Sequence, residues 1–171
     1  LYLFAGPGQR LSLKSTLDEL RGWDAFAEFP EPGVLDLDVL SQPLHPDRRL
    51  ELIQSVGAGE FHVVVLSPPA NSHARAVWAN GKGPGPLRSS QHPLGFPWLA
   101  PPLKEQAEAS NSAITLCLSV AEAAVKAFKR GLPVRCLLDF PEDLGAVRPG
   151  VVPASLWQLS ESRGLLKNEF M

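Results

Sequence analysis

The chain has 171 residues, of which 44% are hydrophobic and 20% charged, and this composition is typical of one globular domain. Its formal net charge of −2 excludes a general electrostatic attraction for nucleic acid. Its apolar segments are interrupted by charge or proline before 18 residues, so no transmembrane helix and no membrane partner is expected.

The first third of the chain predicts strands that alternate with a helix. An apolar strand over 1–5 leads into the glycine-rich turn 6–8, and leucines at helical spacing then predict a helix over 13–20. Residues 25–29 are predicted to form a second strand. The alternating residues 34–39 predict a third strand, exposed or at the edge of the sheet. Because the chain opens directly into an apolar strand, we expect no signal peptide, and we expect a fragment of a longer protein.

The rest of the chain continues this alternation. A helix over 47–56 is expected to end at Gly57, and it is followed by the apolar β-branched strand 62–66. The longest helical pattern covers 105–130, with Gly131 as its stop. A strand over 134–138 follows, and 153–159 predicts a turn or two of helix.

Strands that alternate with helices predict an α/β fold with a mostly parallel sheet, in which strand 62–66 lies at or next to the centre. The site of such a sheet lies at the carboxyl ends of its strands. Three of these ends carry distinctive residues, namely FAGPG at 4–8, SPPA at 67–70 and DFPED at 139–143. The cysteines, Cys117 and Cys136, lack the spacing of a metal site and are predicted to be reduced core thiols, as is usual inside cells.

The first of these ends has the features of an anion or nucleoside site. Gly6 and Gly8 allow the backbone to approach a ligand closely, and the helix N-terminus behind them favours a negative group. An acidic residue about 20 positions further on accepts hydrogen bonds from ribose in many nucleotide-binding sheets, and Glu28 lies at that distance. Asp36 or Asp38 could also reach the nucleoside. The alternatives are a structural glycine turn and a solvent-facing glutamate.

Residues 70–104 form a Pro- and Gly-rich segment with no Asp or Glu and no helical or strand period. A loop this long in a compact domain is usually functional or disordered. Its basic residues predict contacts to the phosphates of a nucleic acid, above all Arg75, Lys82 and Arg88. The alternative is a linker that its charges keep solvated.

The order of these motifs resembles that of the class I S-adenosylmethionine-dependent methyltransferases, most closely the DNA methyltransferase branch. LFAGPG at 3–8 is similar to the LFAGxG motif of the cytosine-5 enzymes, and Ser67-Pro68-Pro69 is similar to their PPC loop and to the (D/N/S)PP(Y/F/W) loop of amino-methylating enzymes. Asp139-Phe140-Pro141 falls where the cytosine-5 family has Glu-Asn-Val or Glu-Asn-Pro. The resemblance covers residues 1–141.

This resemblance implies one Rossmann-like, methyltransferase-like domain over 1–171, incomplete at its end, that binds S-adenosylmethionine and acts on nucleic acid inside the cell. The cofactor would contact Glu28 through its ribose, Asp36 near its adenine, and, at its methionine end, Phe4, Ala5, Gly6 and Gly8. The transferable methyl group and the target base would face Ser67, Pro68, Pro69 and Asp139.

The sequence departs from the family at the residue after the second proline. Cytosine-5 enzymes have a cysteine nucleophile there, and amino-methylating enzymes have an aromatic residue, but this chain has Ala70. We therefore expect no cytosine-5 methylation. Transfer to a base amino group, a catalytically degenerate binding module within a larger protein, and an unrelated nucleotide-binding α/β domain stay open.

Overall fold

The computed structural model describes residues 1–3, 13–21, 33–37, 39, 44–73, 78, 85–147 and 149–169. Its strands are β1 (Tyr2–Leu3), β2 (Asp36–Leu37), β3 (Val63–Leu66) and β4 (Arg135–Leu138). Its helices are α1 (Leu13–Arg21), α2 (Pro46–Ala58), α3 (Pro101–Lys129) and α4 (Ser160–Glu169), and a 3-10 turn covers Leu156–Gln158. The turn 6–8 and the strand predicted over 25–29 lie outside the described residues.

The strands form one parallel sheet in the order β2-β1-β3-β4. The prediction that strand 62–66 lies at or next to the centre is confirmed, because β3 pairs on both sides. Among the described strands β2 lies at the edge, as its alternating pattern predicts, although it is shorter than the predicted 34–39. The chain is therefore an α/β protein with a small parallel sheet and flanking helices.

Helix α3 packs along one face of the sheet and supplies much of the core. Its inner side buries Leu116, Cys117, Val120, Ala124 and Ala127, which cluster with residues of β3 and α2. Several of these residues are small, which lets helix and sheet approach closely. Helix α3 begins four residues before the predicted start, since proline is tolerated in the first turn of a helix.

By length and composition α3 is also apolar enough to cross a membrane, although charged residues interrupt it before 18 residues, as the sequence predicts. The most apolar window of the helix has a mean hydropathy of 1.2, and 56% of that window is buried inside the fold. The buried residues contact the sheet and α2, as in the core helix of a globular domain.

The two glycines that were predicted to end helices differ in their outcome. Gly131 ends α3 with φ 86°, as predicted. Gly57 lies inside α2, which instead ends at Gly59, where φ is 83°. Gly59 can end the helix because its left-handed conformation lets its N–H donate a hydrogen bond to carbonyls of the last turn. The chain also continues beyond the predicted 153–159 turn into α4.

Candidate functional site at the carboxyl edge of the sheet

The parallel register places the ends of three strands side by side. Leu3 of β1 is opposite Leu66 of β3, and Leu66 is opposite Leu138 of β4. The amide of Ser67 donates to the carbonyl of Leu3 at 3.3 Å, and the amide of Asp139 donates to the carbonyl of Leu66 at 2.8 Å. The sheet therefore brings the start of LFAGPG, the SPP turn and the DFP turn to one edge.

Among the predicted cofactor residues, Asp36 is the one that lies in the described part of the chain. Asp36 lies in β2, in register with Tyr2 of the neighbouring strand. The other predicted cofactor residues lie outside the described part of the chain, namely Phe4, Ala5, Gly6, Gly8 and Glu28.

The SPP turn is packed into the protein rather than projecting from it. Pro68 is buried, whereas Ser67 and Pro69 are half-buried. Ala70 packs against the apolar cluster that contains Phe140, and its carbonyl accepts a hydrogen bond from the amide of His73 at 2.8 Å. The position of the family's nucleophile is thus occupied by a small apolar residue in contact with the core.

The cysteines lie away from this turn in the chain and in the fold. Cys117 is fully buried in α3, and burial raises the pKa of its thiol, with the nearby Cys136 adding to the shift. Cys136 is half-buried within β4 rather than at its end. Because a protonated, buried thiol is a poor nucleophile, Cys117 has little thiolate to offer.

The DFP turn combines an exposed carboxylate with an anchored aromatic ring. Asp139 is exposed, while Phe140 is buried between His73 and Trp157, with ring centroids at 5.4 Å and 6.4 Å in edge-to-face geometry. The Trp157 indole donates to the carbonyl of Pro141 at 2.8 Å. These contacts hold the turn in place and leave the Asp139 side chain facing solvent.

Arg88 was predicted to contact phosphate, but its side chain is buried and only 1% of the residue surface is exposed. Its Nη1 donates to Asn111 Oδ1 at 2.7 Å, to the Pro93 carbonyl at 3.0 Å and to His73 Nε2 at 3.2 Å. Its Nη2 donates to the Ala107 carbonyl at 3.2 Å. Arg88 therefore joins its loop to α3 and is no part of an exposed basic surface. The other two predicted phosphate contacts, Arg75 and Lys82, lie outside the described residues.

His73 is neutral in this network. Burial, followed by the charge of Arg88, lowers the pKa of His73 to about 3, and burial lowers the pKa of Arg88 to about 10. A neutral imidazole that accepts from Arg88 at Nε2 carries its proton on Nδ1, which lies 3.4 Å from Ser72 Oγ. His73 is a weak base in this network, because its pKa is low and Arg88 occupies the lone pair of Nε2.

A cavity of about 370 Å³ adjoins this network between the Arg88 loop, α3 and α4. Its lining includes His73, Arg88, Asn111, Glu122 and Glu161. Ser67, Pro69 and Asp139 do not line it, so the cavity is a neighbour of the sheet edge and not the pocket predicted for the target base. Within the described ranges, no group of three or more His, Cys, Asp or Glu side chains is placed to hold a metal ion.

The His73–Arg88 network is the part of the site that the sequence did not reveal. His73 and Arg88 lie in a segment without periodicity, and a basic residue in such a segment is normally exposed. The absence of acidic residues in 70–104 favoured a phosphate contact, whereas the actual partners are two carbonyls, a side-chain amide and an imidazole.

The fold is that of an α/β domain whose parallel strands end at one edge, which is where open parallel sheets generally bind their ligands. Comparison of the chain with protein-family models, with curated proteins and with solved structures finds no match.

Proposed function

We propose that this chain is a Rossmann-like, class I methyltransferase-like domain that binds S-adenosylmethionine and methylates a base amino group in nucleic acid. One observation supports this proposal above the others: the parallel register places Leu3, Ser67 and Asp139 at the same edge. Motifs that are separated along the chain could thus act on one cofactor and one substrate.

On the cofactor side, β2 is the strand next to β1. In nucleoside-binding sheets, the acidic residue that binds ribose comes from the end of the strand beside the glycine-rich turn. Asp36 lies in β2 and Asp38 follows its last residue in the sequence. This placement supports an acidic nucleoside contact from β2, with Glu28 as the other candidate and Gly6 and Gly8 at the methionine end.

On the substrate side, Ser67 and Asp139 offer oxygen atoms at neighbouring strand ends. S-adenosylmethionine, held by Gly6, Gly8 and an acidic residue, would supply an electrophilic methyl group to the base nitrogen and would leave as a neutral thioether. The nitrogen then loses a proton to the Asp139 carboxylate or to water. The Ser67 hydroxyl orients the amino group by accepting one of its hydrogens, and no bond between enzyme and base forms.

Calorimetry with S-adenosylmethionine tests the cofactor half of the proposal. We expect binding by the native chain and its loss in Gly6→Val, because a side chain would fill the surface on which the ligand approaches the backbone. Unchanged affinity in Gly6→Val would argue against the site.

Transfer of a radiolabelled methyl group from S-adenosylmethionine to single- and double-stranded oligonucleotides tests the substrate half. Ser67→Ala and Asp139→Asn should lower the rate, whereas Glu142→Gln, an exposed acidic neighbour on the same turn, should not. Equal rates in Asp139→Asn and Glu142→Gln would exclude the role of Asp139.

The second candidate is a catalytically degenerate domain that binds its ligand without transferring a methyl group. The packing of Ala70 against the Phe140 cluster favours it, because neither a nucleophile nor a base-stacking ring occupies that position. Binding of S-adenosylmethionine without transfer to any nucleic acid would support this candidate over the first.

A further inference from the structure

Three aromatic side chains in the loop before α3 form a layered cluster that we call the aromatic platform: His92, Phe96 and Trp98. The rings of Phe96 and Trp98 stack at 5.0 Å between centroids with an interplanar angle of 13°. His92 meets both in edge-to-face geometry, at 5.8 Å from Phe96 and 5.4 Å from Trp98.

The outer ring of the platform is open to solvent. Trp98 is 70% exposed, and this is the largest exposure among the large hydrophobic residues of the described chain. Because Phe96 is stacked on one face of the indole, an exposure this high requires that the other face is free. Leu94, in the same loop, is 65% exposed. A large aromatic ring stacked on one side and bare on the other is a feature of interaction sites.

The loop that carries the platform is held firmly to α3. Arg88 donates to the carbonyl of Pro93 at 3.0 Å, and the Asn111 side chain donates to the carbonyl of Leu94 at 2.7 Å. Gly95, with φ 125°, lies so close to α3 that a Cβ there would come within 3.3 Å of the Ala107 Cβ. The platform is therefore preorganised, and binding to it would cost little ordering of the loop.

The charge next to the platform along the chain favours an anionic partner. Residues 89–103 contain no Asp, Glu, Lys or Arg, and the first charge that follows them is that of Lys104. Lys104, six residues after Trp98, is exposed, and its nearest carboxylate is Glu108 at 3.9 Å, too far for a strong hydrogen bond. An anionic ligand could therefore compete for this lysine while its apolar part covers the indole.

We propose that the aromatic platform binds an unpaired base of single-stranded nucleic acid, which stacks on the free face of Trp98. The parallel Phe96–Trp98 pair would gain a third aromatic layer, and every nucleobase has a flat face that fits this role. The inference rests on the proposed function for the class of substrate only. In that substrate, the platform would bind nucleotides that neighbour the base that is methylated.

Fluorescence anisotropy with labelled 12-nucleotide oligo-dT and oligo-U strands tests the inference. Trp98→Ala should weaken binding about 5- to 150-fold, the usual effect of removing one stacking ring. Trp98→Phe should keep most of the affinity, because it retains a ring. Leu94→Ala is the matched control: it removes an equally exposed apolar side chain from the same loop without removing a ring, and binding should stay the same.

Two further measurements separate stacking from charge. Trp98→Ala should leave the salt slope of binding unchanged, whereas Lys104→Ala should flatten it by up to about 0.7 if the lysine contacts one phosphate. An abasic strand should bind the native protein and Trp98→Ala equally. A Trp98→Ala variant that binds oligo-dT and oligo-U like the native chain would overturn the inference, as would self-association of the native chain that depends on Trp98.

Calorimetry distinguishes failure of this inference from failure of the proposed function. Trp98→Ala should bind S-adenosylmethionine like the native chain, since the platform is not assigned to the cofactor. A native chain that binds oligonucleotides through Trp98 but does not bind S-adenosylmethionine would refute the proposed methyltransferase activity and leave the stacking site standing.

Discussion

Replacing Arg88 with alanine tests whether this residue is a structural anchor or a phosphate contact. In the structure its guanidinium supplies the donors for the Pro93 carbonyl, Asn111 Oδ1 and His73 Nε2. Arg88→Ala would leave these acceptors and the Ala107 carbonyl without their partner at buried or partly buried positions beside the cavity. It would also remove the largest of the fully buried side chains of the described residues.

The expected loss of stability is large. An acceptor that loses its buried partner costs about 1–3 kcal/mol, and the atoms involved are partly buried, so the lower part of that range applies. The buried methylenes of the arginine add about 0.8 kcal/mol each. Removing a desolvated charge and an Nε that has no partner among the described residues offsets part of this cost. The net loss should be about 3–6 kcal/mol, which is a large part of the roughly 5–15 kcal/mol that stabilises a typical domain.

Urea unfolding followed by circular dichroism measures this effect. With a slope of about 2 kcal/mol per molar urea, the midpoint should fall by about 1.5–3 M. Arg88→Lys, which keeps the charge but not the planar fork, should lie between the native chain and Arg88→Ala. Arg48→Ala is the control: its side chain is 74% exposed and pairs only with Glu51 at 2.7 Å, so its cost should stay below about 1 kcal/mol.

The opposite outcome has a clear meaning. If Arg88→Ala is as stable as Arg48→Ala and flattens the salt dependence of nucleic-acid binding, Arg88 is an exposed phosphate contact. The buried network described above would then be wrong.

Three other predictions concern His73, two glycines and the cysteines. The pKa of His73 falls from 6.5 to about 3 on folding, so the unfolded chain binds one more proton than the folded chain between these pH values. The contribution of His73 to the free energy of unfolding is therefore fully present above pH 6.5 and decreases as the pH is lowered. His73 should account for a loss of about 2 kcal/mol from pH 7 to pH 5, which His73→Gln should abolish in pH-dependent urea titrations. Gly57→Ala should stabilise the protein by about 0.5–1 kcal/mol, since Gly57 lies within α2 and has open space beside it. Gly95→Ala should destabilise the protein, because φ is 125° and the added Cβ would lie 3.3 Å from the Cβ of Ala107. Calorimetric melting temperatures that shift in the same direction for both variants would contradict this account. A fluorocytosine duplex with S-adenosylmethionine should form no denaturation-resistant adduct, and an adduct that disappears on replacing Cys117 or Cys136 would show that a thiol attacks the base.

The sequence by itself determined the succession of the elements. Burial of one or both sides of an element imposes a spacing of apolar residues that can be recognised in the sequence alone. This spacing is present in the leucines of 13–20, in the apolar stripe of α3 and in the β-branched run before Ser67. The alternation of 34–39 likewise predicted an edge position, because a strand covered on one side needs polar residues on the other. Strand ends were predictable too, since Pro68 and Pro69 cannot donate to a ladder.

The ends of helices were less predictable because several glycines could serve as a stop. Gly57 and Gly59 both follow the periodic residues of α2, and the sequence favoured the first. In the structure Gly59 adopts the left-handed conformation and lies against Leu132, 3.0 Å from the position of a Cβ. A side chain at Gly59 would thus meet a residue more than 70 positions away, which the local sequence does not show.

Only the tertiary structure decided which strands are neighbours in the sheet and what surrounds Arg88. Parallel register joins Leu3, Ser67 and Asp139, which are far apart along the chain, and no local pattern specifies that pairing. Arg88 is a basic residue in an aperiodic segment, and its burial depends on acceptors from the loop, from α3 and from His73. A buried polar group is stabilised by partners that folding assembles from distant positions, so its environment cannot be read from its neighbours in sequence.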